Sequence, residues 1–204
     1  MTHAHMGHYA GLLHLGREAY GTASTLLYGS PRMCSFLASN GPWDLLISAE
    51  HLELRPLAAG QSVQLTEDLS VSAMSVPHRD EYSDTLAFRI DGPERSALYL
   101  PDIDKWSRWE VPLAQALTDV DAAYLDATFF DAGELPGRAM SEVPHPFVVE
   151  TMRLLSDEPL RTRNKVHLIH LNHSNPLADP DSSAAARVRA AGMHVAREGD
   201  IFEL

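Results

Sequence analysis

The sequence predicts an α/β fold, α+β by some schemes, in which helices cover sheets, and three observations point there. From residue 111 onward, short runs rich in Ala, Val, Leu and Ile alternate with segments of helical period. The middle third strings together short strand candidates broken by Gly, Pro and Asp, the pattern of an antiparallel meander. The 204 residues, 45% hydrophobic and 22% charged, contain no internal repeat, low-complexity tract or linker, so one packed domain spanning 1–204 is expected.

Taken in order, residues 9–17 read as a short helix and 25–28 as a buried strand. Pro31 opens a helix over 31–38, at the first-turn position where its missing N–H costs nothing. Strands follow at 62–65, 69–76, 85–90 and 96–100. Helix 111–117, strand 122–125, helix 147–155, strand 165–169, helix 182–191 and strand 194–196 complete the chain. Polar residues stand where four of these strands end: His78, Asp102, Asp126 and His170. Ligands of sheet-based folds often bind beyond such ends, so a shared site is expected there.

Bulk properties narrow the function. The sequence has no run of eighteen apolar residues, and its N-terminus lacks the basic start and apolar stretch of a secretory signal. Neither membrane insertion nor export is indicated, and the cytoplasm is the expected location. Cys34 is the single cysteine, which excludes an internal disulfide framework and a thiolate zinc site. With Met33 and Phe36 beside it, Cys34 reads as a small buried hydrophobe. A balance of 16 basic against 28 acidic residues, formal net charge -12, opposes attraction to phosphate backbones, so no nucleic-acid partner is expected. A small-molecule substrate is expected instead; an anionic one stays open because a bound cation would offset the field locally.

The stretch THAHMGH, residues 2–8, carries His3, His5 and His8. In an extended segment alternate side chains share a face, so His3 and His5 can point the same way while His8, at the entry to a helix, turns back. Imidazole suits zinc, iron, nickel and copper, and a carboxylate such as Asp102 completes a coordination shell or bridges two ions. A cation so held acidifies water and polarises a substrate oxygen, the basis of metal-assisted hydrolysis. Histidines near a terminus are otherwise often solvated. It is the strand-end residues downstream that favour the metal.

THAHMGHYAGLL resembles the HxHxDH signature of the metallo-β-lactamase superfamily, and the order His3, His5, His8, His78, Asp102, His170 follows the order of that family's metal ligands. GLLHLGREA, LYLPDID, YLDATFFDAGEL and HLNHSNPLADPDS, ending in GMHVAREGDIFEL, resemble the pyrroloquinoline-quinone biosynthesis protein B-like branch. The resemblance implies an αβ/βα sandwich with its site at one edge of two facing sheets. It also implies a first metal site of His3, His5 and His78 and a second of His8, Asp102 and His170, with Asp102 bridging. One or two divalent ions per chain are implied, zinc first, manganese or iron as alternatives. Gly7 stands where the family has an Asp, which removes a carboxylate and weakens the second site. Glu81 or Asp80 could replace it, or could form a solvated acidic loop. The strands the family places ahead of its histidine motif do not precede Thr2 here. This reads as an N-terminal truncation, a mis-called start or a minimal form, and the sheet edge it exposes predicts marginal stability, aggregation or a homodimer that covers it.

Other residues carry paired readings. Asp126 is either an orienter of a ligating histidine or a turn-forming Asp. In HLNHSNP, His170 is the expected ligand, with Asn172 and His173 nearer the substrate or supporting the ligands; His173 as ligand would shift the register by three. His145, between two prolines, is a proton donor to a leaving group or a loop histidine. His14, His51, His167 and His194 read as packing or surface residues, His167 facing away from His170. Trp43, Trp106 and Trp109 read as core or interface anchors, and KWSRW could wall the site.

The leading functional expectation is a metal-dependent hydrolase acting on an ester, phosphodiester or lactone, with Asp102 and His145 in catalytic roles. Two alternatives remain: an iron-dependent, oxygenase-type role in cofactor biosynthesis of the pyrroloquinoline-quinone kind, and a non-catalytic binding protein that retains the fold.

Overall fold

The structure is a computed structural model that describes residues 1–135, 137 and 143–204. It divides into two compact units, one of residues 1–63 and 72–87, the other of residues 64–71 and 88–204.

In the first unit the N-terminal segment is extended and tied down at both ends: Leu86 N donates to Thr2 O at 3.0 Å, and Ala4 N to Ser83 Oγ at 2.8 Å. Helix α1 (Met6–Tyr9) follows and tightens at once into a 3₁₀ turn, Ala10–Leu15. The helix expected over 9–17 is corrected accordingly. Gly11 disfavours a regular α-helix, and Gly16, in extended backbone, ends the segment early. Strand β1 (Thr25–Gly29) leads into α2 (Pro31–Ala38), whose N-cap Ser30 accepts from Met33 N. Helix α3 (Trp43–Ser48) and strand β2 (Leu52–Pro56) were not expected from the sequence. β2 pairs in parallel with β1, Leu27 opposite Leu54, so the two helices form the crossover that parallel strands require. Met33, Leu37, Leu46, Leu52, Tyr9 and Trp43 make the core of this unit, with the Tyr9 and Trp43 rings 4.7 Å apart. Cys34 is buried, as expected.

Strands β3 (Ser62–Gln64), β4 (Ser70–Ser75) and β5 (Leu86–Asp91) are each divided between the units. The second unit continues with β6 (Ser96–Leu100), β7 (Ala122–Asp126), β8 (Val166–Ile169) and β9 (His194–Val195), in sequential order from β5. β5 and β6 are antiparallel; β6 through β9 are mutually parallel. Its helices are α4 (Leu113–Ala116), α5 (Val148–Leu154), α6 (Leu160–Arg163) and α7 (Ser183–Ala190), of which the short α6 was not expected. Gly192, at φ 76°, closes α7 in the left-handed conformation that a side chain would resist. Leu98, Leu100, Leu125 and Leu168 are at most 1% exposed. Each stabilises the fold by about 2 kcal/mol through burial. The registers Phe88↔Tyr99, Tyr99↔Tyr124, Tyr124↔His167 and His167↔His194 set a row of rings across five strands. No helix among the described residues is long and apolar enough to cross a membrane.

Candidate metal centre

The first unit gathers three imidazoles. His3 and His5 leave the tied-down extended segment, and His78 follows β4 through Pro77, with Val76 N held by Thr85 O. His3 Nε2 lies 2.9 Å from His5 Nδ1, and His78 Nε2 lies 3.2 Å from the same atom. These three nitrogens are mutually within 4.8 Å. Bonds of about 2 Å at tetrahedral angles place donor nitrogens roughly 3.3 Å apart, so the trio has the span of a divalent-ion site. Two of the remaining ring nitrogens are engaged as a ligating set requires: His5 Nε2 meets Glu81 Oε2 at 3.0 Å, and His3 Nδ1 meets Thr2 Oγ1 at 3.2 Å. A proton held on each outward nitrogen leaves the inward one as a lone-pair donor. The hydrogen bond from His5 holds the Glu81 carboxyl below its ordinary range, although Glu81 is largely exposed.

The second unit gathers Asp102, Asp126, His145 and His170. Because β6, β7 and β8 run parallel, the residues at or just past their C-terminal ends arrive at one end of the sheet. His145 joins from the segment ahead of α5, where Phe129 and Phe147 form a bridge. Asp126 is fully buried and its four acceptor positions are taken. Oδ1 accepts from Thr128 N at 2.8 Å and Thr128 Oγ1 at 2.6 Å, and Oδ2 from Ile103 N at 3.1 Å and His145 Nδ1 at 2.8 Å. Asp126 meets His145 as an orienter of histidine would and Thr128 N, two residues on, as a turn-forming Asp would, so it makes the contacts of both readings. Burial opposes its ionised form, but the nearby imidazoles of His145 and His170 outweigh this and lower its pKa.

Asp102, 3% exposed, keeps its Oδ1 3.1 Å from His145 Nδ1 and its Oδ2 3.9 Å from His170 Nε2. Burial would lower the pKa of His145, yet hydrogen bonds to Asp102 and Asp126 and their charges raise it to about 10. His170, past the end of β8, adopts φ 62°, a backbone conformation costly for a side-chain-bearing residue and tolerated where surroundings over-determine it.

His8 lies beside His3, ring centroids 4.2 Å apart, but outside the three-nitrogen group. Asp80 accepts from Thr85 Oγ1, while Glu81 is the acidic-loop residue that reaches a histidine. His173 is exposed; Asn172 donates its backbone N to Thr128 O and its side chain to Ser174 Oγ. Of the two histidines in that loop, His170 is the one among the carboxylates. His167 stacks between Tyr124 and His194, and Trp43 is core. Trp109 is buried, and Trp106 donates Nε1–H to Thr151 Oγ1. A Cβ at Gly7 would meet nothing within 4 Å. Sequence reasoning missed the orienting hydroxyls Thr2 and Thr128, and Asn175, whose Nδ2 donates to Ala127 O and Thr128 O. Only the polar break DAT within an apolar run hinted at Thr128.

Residues 1–195 match the family model described as a Beta-lactamase superfamily domain. The chain is 25% identical over 225 residues to coenzyme PQQ synthesis protein B of Methylorubrum extorquens (strain PA1), covering 100% of this chain and 72% of that protein. It is similar in structure to Zn(2+)-bound PqqB from Methylobacterium extorquens, with a TM-score of 0.81 at 20% identity over 100% of this chain and 71% of that one. It is also similar to a diphosphatase of the PhnP family, with a TM-score of 0.60 at 18% identity over 100% and 70% of the two chains.

Proposed function

The chain belongs to the metallo-β-lactamase superfamily, and from that premise we propose that it is a metal-dependent hydrolase of a small-molecule ester, phosphodiester or lactone. The observation that supports this best is the convergence of His3 Nε2, His5 Nδ1 and His78 Nε2. The donor set fits zinc, with manganese or iron as substitutes. In this proposal His8 offers a weaker further donor beside that trio, short of the carboxylate that Gly7 lacks, and Asp102 and His170 are ligands within the second unit. When bound, the ion supplies Lewis acidity toward a substrate oxygen and toward water. His145 gives the leaving group its proton, its ring held in place by the hydrogen bond from Nδ1 to Asp126. Asp126 keeps that imidazole in one tautomer and offsets its charge. Cytoplasmic action and a homodimer belong to the same proposal.

A second reading is a role in coenzyme PQQ synthesis, favoured by the similarity to protein B of that process. The two separate by experiment. Protein purified without a histidine tag and reconstituted with zinc, manganese or iron(II) is assayed for hydrolysis of ester, phosphodiester and lactone model substrates and for oxygen uptake. Hydrolysis with zinc or manganese, lost in H145Q with metal retained, supports the hydrolase. Oxygen uptake with one iron per chain and no hydrolysis overturns it in favour of the second reading, and absence of stoichiometric metal overturns both.

A further inference from the structure

Thr128, 9% exposed, sits among three polar side chains near the C-terminal end of β7. Its Oγ1 lies 2.6 Å from Asp126 Oδ1, 2.9 Å from His170 Nδ1 and 3.2 Å from His145 Nδ1. A hydroxyl has one proton and two lone pairs. The carboxylate of Asp126 carries no proton to offer, so the Thr128 proton goes to Asp126 and the oxygen can only accept from the two imidazoles. We propose that Thr128 is a positioning residue that fixes His170 as its Nδ1–H tautomer and so leaves Nε2 as the nitrogen that binds a cation. The inference deepens the metal-centre reading above and rests on it for its consequence, but the tautomer itself is a property of the metal-free protein.

Two further features show why this position needs a dedicated partner. His170 lies outside β8 at φ 62°, so the regular strand does not set its ring orientation. The backbone around Thr128 is instead clamped to the loop that carries it: Ala127 N donates to Ile169 O at 2.9 Å, Asn172 N to Thr128 O at 3.0 Å, and Asn175 Nδ2 to Ala127 O at 2.7 Å. The hydroxyl is therefore held at a fixed place relative to the ring it faces. Val has the volume of Thr without the oxygen, and Ser keeps the oxygen without the methyl group.

The test compares wild type, T128V and T128S by nitrogen-15 imidazole spectra of the metal-free protein at a pH where His170 is neutral, followed by zinc titration. The expected result is an Nδ1–H signature for His170 in wild type and T128S, its loss in T128V, and zinc affinity lower by about 10- to 100-fold in T128V alone. An Nδ1–H signature that persists in T128V overturns the proposal. So does a T128S variant as impaired as T128V, since the position would then act through its methyl packing. If wild type shows the expected tautomer contrast with T128V yet takes up no zinc, the metal-centre reading fails while the assignment of Thr128 stands.

Discussion

The two units solve the same chemical problem with different materials. Each holds histidines by their outward nitrogen, but the first uses the half-exposed Glu81 for His5, and the second the fully buried Asp126 for His145 and the buried Thr128 for His170. An exposed ion pair is screened by water and salt and contributes little. A buried carboxylate with every acceptor position filled contributes far more, because removing it strands several donors at once. The comparison teaches that orientation in the first unit comes mainly from the backbone ties at Thr2 and Ala4, whereas in the second it comes from a polar network that is also part of the core.

The largest effect that tests this contrast is at Asp126. D126N turns an amide toward Ile103 N, Thr128 N and His145, and the expected loss of stability is about 3–5 kcal/mol, read from the urea midpoint. A loss below about 1 kcal/mol would remove the distinction between the units. In the first unit, E81Q should leave stability nearly unchanged and weaken zinc binding by about tenfold, an effect that shrinks as salt is raised. Salt-independent weakening would mean that Glu81 acts as a buried partner does.

G7D comes next. Because a Cβ there meets nothing within 4 Å, the variant should fold normally and raise occupancy by a second ion in zinc titrations. Unchanged stoichiometry would show that the weak second position has another cause. The smallest effect is at His167, away from both clusters. Burial, then the neighbouring His194, lowers its pKa. The unfolded chain therefore binds the proton first: the stability contribution is full above the unfolded value of about 6.5 and is lost as pH falls through the folded one. H167N should flatten the decline in melting temperature between about pH 7 and about pH 5. A slope unchanged by the substitution would contradict the assignment.

Much of this arrangement was legible in the sequence where regular structure carries the residue. Asp102, Asp126 and His170 follow apolar runs, and parallel pairing turns three such endings into neighbours. β2 escaped notice because LELRP alternates apolar with charged residues over five positions and ends in proline, a weak signal that parallel pairing with β1 overrides. α3 and α6 are too short for periodicity to show. Thr2, Thr128 and Asn175 were illegible for another reason: a hydroxyl or amide gains its role from partners 40 or more residues away, as Thr128 does with His170, or from a single proton's direction, and neither leaves a local pattern. Glu81 was weighed against a solvated loop, and nothing in PHRDEYSDT distinguishes it from Asp80; the backbone decides.

The central claim is that the ring nitrogens of His3, His5 and His78 hold a divalent cation. Zinc content after equilibrium dialysis, compared between untagged wild type and H78A, tests it most directly. At least one ion per wild-type chain and a substoichiometric amount in a folded H78A variant are expected. An H78A protein that keeps its full complement of metal would contradict it.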